Sequence, residues 1–97
     1  MEITIQDKPY KVKNTVRAIF IFEQITGKIF KLEKMMDFYI FYYAMIIANN
    51  KDTNLTFDEF IDACDEDLSI VQKFQEYMEK ETAKNSQFKM EEDSKKN

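Results

Sequence analysis

Hydrophobic and polar positions alternate along the first part of the chain and take up helical spacing after residue 14. Residues 2–6 (Glu-Ile-Thr-Ile-Gln) and 10–13 (Tyr-Lys-Val-Lys) each have a period of two, and residues 7–9 (Asp-Lys-Pro) between them have turn chemistry. This pattern predicts a β-hairpin over residues 1–13. Its buried face would consist of the apolar side chains Ile3, Ile5, Tyr10 and Val12. Two strands alone are unstable in water, so the hairpin must pack on other elements.

The first helix has a clear start signal and a clear stop signal. Asn14 or Thr15 can cap a helix from about Val16 to Thr26, because a side-chain oxygen there can accept a hydrogen bond from an unpaired backbone N–H. Gly27 would end the helix in the left-handed conformation that glycine tolerates best. Because Gly27 is the only glycine in the chain, a glycine-rich phosphate loop is excluded.

Three further helices are predicted over residues 32–48, 57–64 and 68–83. The third helix of the chain opens with the capping-box spacing Thr56-x-x-Glu59.

From Lys84 onward the chain is polar and charged, and it cannot bury enough apolar surface to offset the entropy of ordering. The sequence therefore predicts a single domain of residues 1–84 and a disordered tail of residues 85–97. The fold class is mainly α (α+β), with an N-terminal β-hairpin packed on a bundle of about four helices.

The run from Met35 to Ala48 is apolar nearly all the way round a helical wheel, so this helix needs a partner on more than one side. One arc contains Leu32, Met36, Ile40, Tyr43 and Ile47. The opposite arc contains Phe38, Phe41, Tyr42 and Met45. Either the whole helix is the centre of the core, or the Phe38/Phe41/Tyr42/Met45 stripe is an exposed surface that binds another protein.

Charge and length exclude several classes of partner. Residues 1–34 contain seven Lys or Arg against four Asp or Glu, and residues 35–97 contain seven against fourteen. The small basic surplus is spread thinly, which argues against nucleic-acid binding. The apolar run of fourteen residues is shorter than the roughly twenty needed to span a bilayer, so no membrane partner is expected. With one cysteine and no secretory leader pattern, the expected location is the cytoplasm.

No group of residues predicts catalysis, a metal site or a cofactor. The chain has no histidine, and Cys64 lies in an acidic segment that would raise its thiol pKa. Residues 49–60 resemble the second half of an EF-hand loop. With Glu59 at the twelfth loop position, however, Ala48 occupies the first and Thr53 the sixth, so the first ligand and the glycine turn are both missing. Asn50 and Asp52 would remain as possible ligands of a weak site.

Taken together, these segments resemble the small tail assembly chaperones of long-tailed bacteriophages and prophages. The resemblance covers about residues 1–84. It rests on the opening strand-turn-strand segment 1–13, the helix 18–27 that ends in glycine (Ala-Ile-Phe-Ile-Phe-Glu-Gln-Ile-Thr-Gly), the segment 55–63 (Leu-Thr-Phe-Asp-Glu-Phe-Ile-Asp-Ala) and the helix that ends near residue 84.

The resemblance implies a non-enzymatic binding function in the host bacterial cytoplasm. Members of that family bind the tape measure protein, keep its apolar helical segments soluble and leave as the tail tube protein polymerises. Aromatic and methionine side chains suit such a surface because they can repack against varied sequences. The alternative is a small structural or regulatory homo-oligomer in which the same stripe closes the interface and no client is bound.

Overall fold

The structure is a computed structural model that describes residues 1–82 in full and, for residues 83–96, the backbone secondary structure alone. Its elements in chain order are β1 (Glu2–Ile5), β2 (Lys8–Lys11), α1 (Val16–Thr26), α2 (Met35–Asn49), α3 (Phe57–Glu66) and α4 (Leu68–Lys96). The predicted mainly helical fold with an N-terminal hairpin and four helices is confirmed. The predicted disordered tail, residues 85–97, lies outside the fully described residues.

The hairpin turn is tighter than predicted, because it contains only Gln6 and Asp7. Both residues have positive φ, 51° and 64°, which is the conformation that a two-residue type I′ turn requires. The prediction of a turn at residues 7–9 is therefore wrong by one residue at its start and by two at its end. The predicted buried face is confirmed: Ile3, Ile5, Tyr10 and Val12 are all buried.

Pro9 was predicted to lie in the turn but lies in β2, opposite Thr4. Ile5 and Lys8 flank the two-residue turn and form a hydrogen-bonded pair, so the next pair, Thr4 and Pro9, is of the non-hydrogen-bonded kind. The missing N–H of Pro9 therefore removes no hydrogen bond between the two strands.

Local capping sets both ends of α1 and the start of α3 as the sequence predicts. The Thr15 hydroxyl accepts the N–H of Ala18 at 3.1 Å, and Gly27 has φ 69°. Thr56 and Glu59 form the predicted capping box, in which each side chain accepts the backbone N–H of the other residue. Helix α3 extends two residues beyond its predicted end, to Glu66.

Helix α2 lies between two layers that both belong to this chain. On one side, Phe41 contacts Phe22 of α1 and Phe30 of the following loop, with ring centroids 6.4 Å and 5.0 Å away. On the other side, Tyr42 contacts Phe60 of α3, with ring centroids 4.9 Å apart. The core of the protein is thus centred on α2 and is aromatic on both sides.

Two asparagines at the end of α2 attach the hairpin to this core. The Asn50 side chain accepts the N–H of Lys11 at 3.1 Å through Oδ1 and donates to the Lys11 carbonyl at 2.8 Å through Nδ2. Asn49 donates through Nδ2 to the carbonyl of Lys13 at 2.8 Å. The Asn50 amide therefore occupies the free edge of β2 as a neighbouring strand would. Asn50 is also, with Asp52, one of the two possible calcium ligands in the segment that resembles an EF-hand loop. In the structure its side-chain oxygen accepts the backbone N–H of Lys11.

A candidate helix-binding groove

Three of the four side chains predicted to form an exposed partner-binding stripe are buried. Phe41 is 1% exposed, and Tyr42 and Met45 are 0% exposed. The expectation of an exposed stripe is wrong for these three residues, because α1 covers one side of α2 and α3 and α4 cover the other. Phe38, the fourth member, is only half-buried and remains at the surface.

Tyr42 shows why this part of α2 is structural. Its ring is stacked on Phe74 of α4, with centroids 4.3 Å apart and planes 10° from parallel. Its hydroxyl donates to the carbonyl of Ile70 at 2.8 Å, and burial raises the pKa of Tyr42 above its ordinary value. Every polar and apolar part of this side chain is therefore engaged within the protein.

One group of exposed apolar side chains lies at the starts of α2 and α4. Met35 is 76% exposed, Leu68 is 67% exposed and Met36 is 57% exposed. Met36 belongs to the arc opposite the predicted stripe, and it is exposed, whereas Phe41 and Tyr42 of the stripe are buried.

These side chains line a continuous depression, here called the apolar groove. It consists of two adjoining hollows that share Met35, Tyr39 and Val71. Helix α2 forms one wall and α4 the other, and α3 closes one end. The apolar side chains of the groove are Met35, Met36, Phe38, Tyr39, Ile61, Leu68, Val71 and Met78, with Cys64 and Phe74 at its base.

A second apolar surface lies on the outer face of α1. Val16 is 65% exposed and Phe20 is 59% exposed, with Arg17 and Gln24 beside them. This surface belongs to one helix, whereas the lining of the apolar groove comes from three. The two hollows of the groove have volumes of about 640 and 410 Å³, against about 360 Å³ for the hollow on α1, so the apolar groove is the stronger candidate for a binding site.

Asp37 determines where α2, and with it the groove wall, begins. Its Oδ2 atom accepts the N–H groups of Lys34 at 2.9 Å and Glu33 at 3.0 Å. These bonds end the preceding loop, so α2 starts at Met35 and not at Leu32 as predicted. The two N–H donors, with the Lys28 ammonium group 3.9 Å from Oδ1, hold the pKa of the Asp37 carboxyl below its ordinary value.

We expect Asp37→Asn to reduce stability at neutral pH and to have little effect in acid. Because the pKa of Asp37 is lower in the folded state, its charge stabilises the fold above about pH 4, and this contribution is lost as the pH falls through the folded-state pKa. Melting temperatures of wild type and variant between pH 2 and 7 would measure the difference.

The control for this experiment is Asp52→Asn, which changes an exposed carboxylate in the loop after α2. A difference between wild type and Asp37→Asn that is as large at pH 2 as at pH 7 would contradict the assignment of a stabilising charge.

The described residues contain no group of three or more His, Cys, Asp or Glu that could hold a metal ion. Cys64 is 4% exposed, and burial together with the Asp65 carboxylate raises its thiol pKa to about 11. A buried thiol with so high a pKa is a poor nucleophile near neutral pH.

Within the part of the chain searched, no helix has both the length and the apolar character needed to cross a membrane.

Comparisons with known proteins show no counterpart: no family model, curated protein or solved structure matches this chain.

Proposed function

We propose that this protein is a small binding module that takes up apolar helical segments of another protein and keeps them soluble. The observation that carries the proposal is the apolar groove, in which Met35, Met36 and Leu68 are all more than half exposed. Exposed apolar surfaces of this kind on small soluble proteins usually mark contacts with other molecules.

The side chains of the groove suit a client of variable sequence. Three of them are methionines, Met35, Met36 and Met78. Unbranched thioether chains adapt to irregular partners, and aromatic rings such as those of Phe38 and Tyr39 add contact area at a low entropy cost. Amphipathic helices commonly bind in grooves with such linings.

The resemblance to phage tail assembly chaperones supports the tape measure protein as the client. On this proposal the protein acts in the host bacterial cytoplasm, without catalysis, and binds the tape measure protein until tail tube protein replaces it. The client site is the apolar groove, to which Phe38 contributes, while Phe41, Tyr42 and Met45 support it from within the core.

The proposal is tested by co-expression with the tape measure protein encoded in the same genome. We expect wild type to increase the soluble fraction of this client, and Met35→Glu or Leu68→Glu to abolish the increase. Met35 and Leu68 are the first residues of α2 and α4, where an acidic side chain is favourable to the helix, so both variants should fold.

Phe20→Glu is the matched control, because it places the same charge on the other exposed apolar surface. Circular dichroism would verify that all variants are folded. If the client is equally soluble with Leu68→Glu and with Phe20→Glu, the groove is not the binding site. If wild type does not change the solubility of the client, the proposed function is wrong.

A further inference from the structure

The apolar groove has the spacing that a helical ligand requires. Along α4, its lining residues Leu68, Val71, Gln75 and Met78 recur at alternating intervals of three and four. This is the seam spacing with which one helix packs along another. Leu68 and Met78 are ten residues apart, which is about 15 Å of helix, so the groove accommodates about three turns of a ligand helix.

The charges at the groove are all of one sign. Among residues 1–82, its only charged lining residues are Asp65, in the hollow that α3 closes, and Glu79, in the hollow farther along α4. Both side chains are exposed. The basic residues Lys73 and Lys80 of α4 line a different cleft, beside Tyr77. A helix lying in the groove would therefore meet a carboxylate near each end and no opposing ammonium group from the lining.

Resting on the proposed function, we infer that the client segment is an amphipathic helix with Lys or Arg at both ends of its apolar stripe. Asp65 lies in the same hollow as Leu68, and Leu68 and Glu79 are eleven residues apart, or about 16 Å along the axis of α4. The two basic positions of the client are accordingly about three turns apart. Complementary charges at the rim of an interface choose between partners and orient them more than they add affinity.

The test uses two synthetic peptides of about eighteen residues that share one Leu/Met stripe and have blocked termini. One peptide has lysines at both ends of the stripe and the other has glutamates. We expect the full-length protein to bind the lysine peptide roughly fivefold more tightly in low salt, because each exposed ion pair contributes little. The preference should shrink as added salt screens the charges.

The double variant Asp65→Lys with Glu79→Lys should reverse the preference. The matched control, Asp62→Lys with Glu76→Lys, changes the net charge equally at exposed positions that do not line the groove. We expect this control to keep the preference for the lysine peptide. Reversal by both double variants would show that net charge alone selects the peptide, and the inference would be wrong.

The remaining outcomes separate the inference from the proposed function. If both peptides bind equally and Leu68→Glu prevents binding of both, the groove binds helices without charge selection and only the inference fails. If neither peptide binds, the proposed function fails with it. A second copy of the protein is the other possible occupant of the groove, and sedimentation of the protein alone tests for it. If the protein self-associates, Leu68→Glu abolishes the association and the lysine peptide does not displace it, the groove binds a second copy.

Discussion

Replacing Tyr42 by alanine is expected to lower the free energy of unfolding by about 3 to 5 kcal/mol, the usual cost of removing a fully buried aromatic side chain. The substitution would remove the stacked contact with Phe74, the edge contact with Phe60 and the hydrogen bond to Ile70. Small domains have a total stability of about 5 to 15 kcal/mol. Urea denaturation followed by circular dichroism would measure the loss.

Tyr42→Phe is the matched variant because it keeps the ring and removes only the hydroxyl group. We expect it to cost about 1 kcal/mol, since a single hydrogen bond to the Ile70 carbonyl is lost. A loss below 1 kcal/mol in Tyr42→Ala would show that this side chain is not part of the core. The stripe of Phe38, Phe41, Tyr42 and Met45 would then be the candidate binding surface.

Asn50→Ala is expected to lower the free energy of unfolding by about 2 kcal/mol. Its side chain forms two hydrogen bonds to Lys11 and a third, from Nδ2, to the Ile46 carbonyl at 2.7 Å. Each such bond contributes about 0.5 to 1.5 kcal/mol, and water can replace part of the loss at this half-buried position. Thermal and urea denaturation would both report the change.

Asn50→Asp distinguishes the two roles of this amide. An aspartate can still accept the N–H of Lys11, but it cannot donate to the Lys11 carbonyl and would place a negative charge beside two carbonyl oxygens. We expect Asn50→Asp to be at least as destabilising as Asn50→Ala. A stable Asn50→Asp variant would contradict the strand-like pairing of this side chain with β2.

Features that depend on neighbouring residues were predictable from the sequence. Thr56 and Thr15, the latter one of two candidates with Asn14, each cap an N–H group three residues away, and Gly27 ends its helix through its own backbone conformation. The period-two pattern likewise identified the buried face of the hairpin, because side chains alternate between the two faces of a strand. Each of these effects acts within a few residues, so the local sequence contains the whole cause.

The position of the hairpin turn, at Gln6 and Asp7, could not be predicted from the neighbouring residues alone. Proline is common in turns, and Pro9 suggested one that began at Asp7. The register of the two strands decided otherwise, because the turn at Gln6 and Asp7 keeps Ile5 and Tyr10 on the buried face while Pro9 falls at a non-hydrogen-bonded position.

Helix α2 was the segment whose environment the sequence could not assign. A helical wheel gives the angle between two side chains, but it identifies the buried side only when another side is polar. Between Met35 and Ala48 almost every side is apolar, so Tyr42 and Met36 were equally eligible for the core. The packing of α1 and α4 against α2 buried Tyr42 and left Met36 exposed.

The sequence by itself determined the number and type of the elements, the caps of α1 and α3 and the buried face of the hairpin, because these follow from hydrogen bonds and periodicities within one segment. Only the tertiary structure decided the site. The apolar groove joins Met35 of α2 to Met78 of α4, and Asn50 pairs with Lys11 across 39 positions of the chain. Contacts over such separations depend on how whole helices pack, and no local pattern specifies that packing.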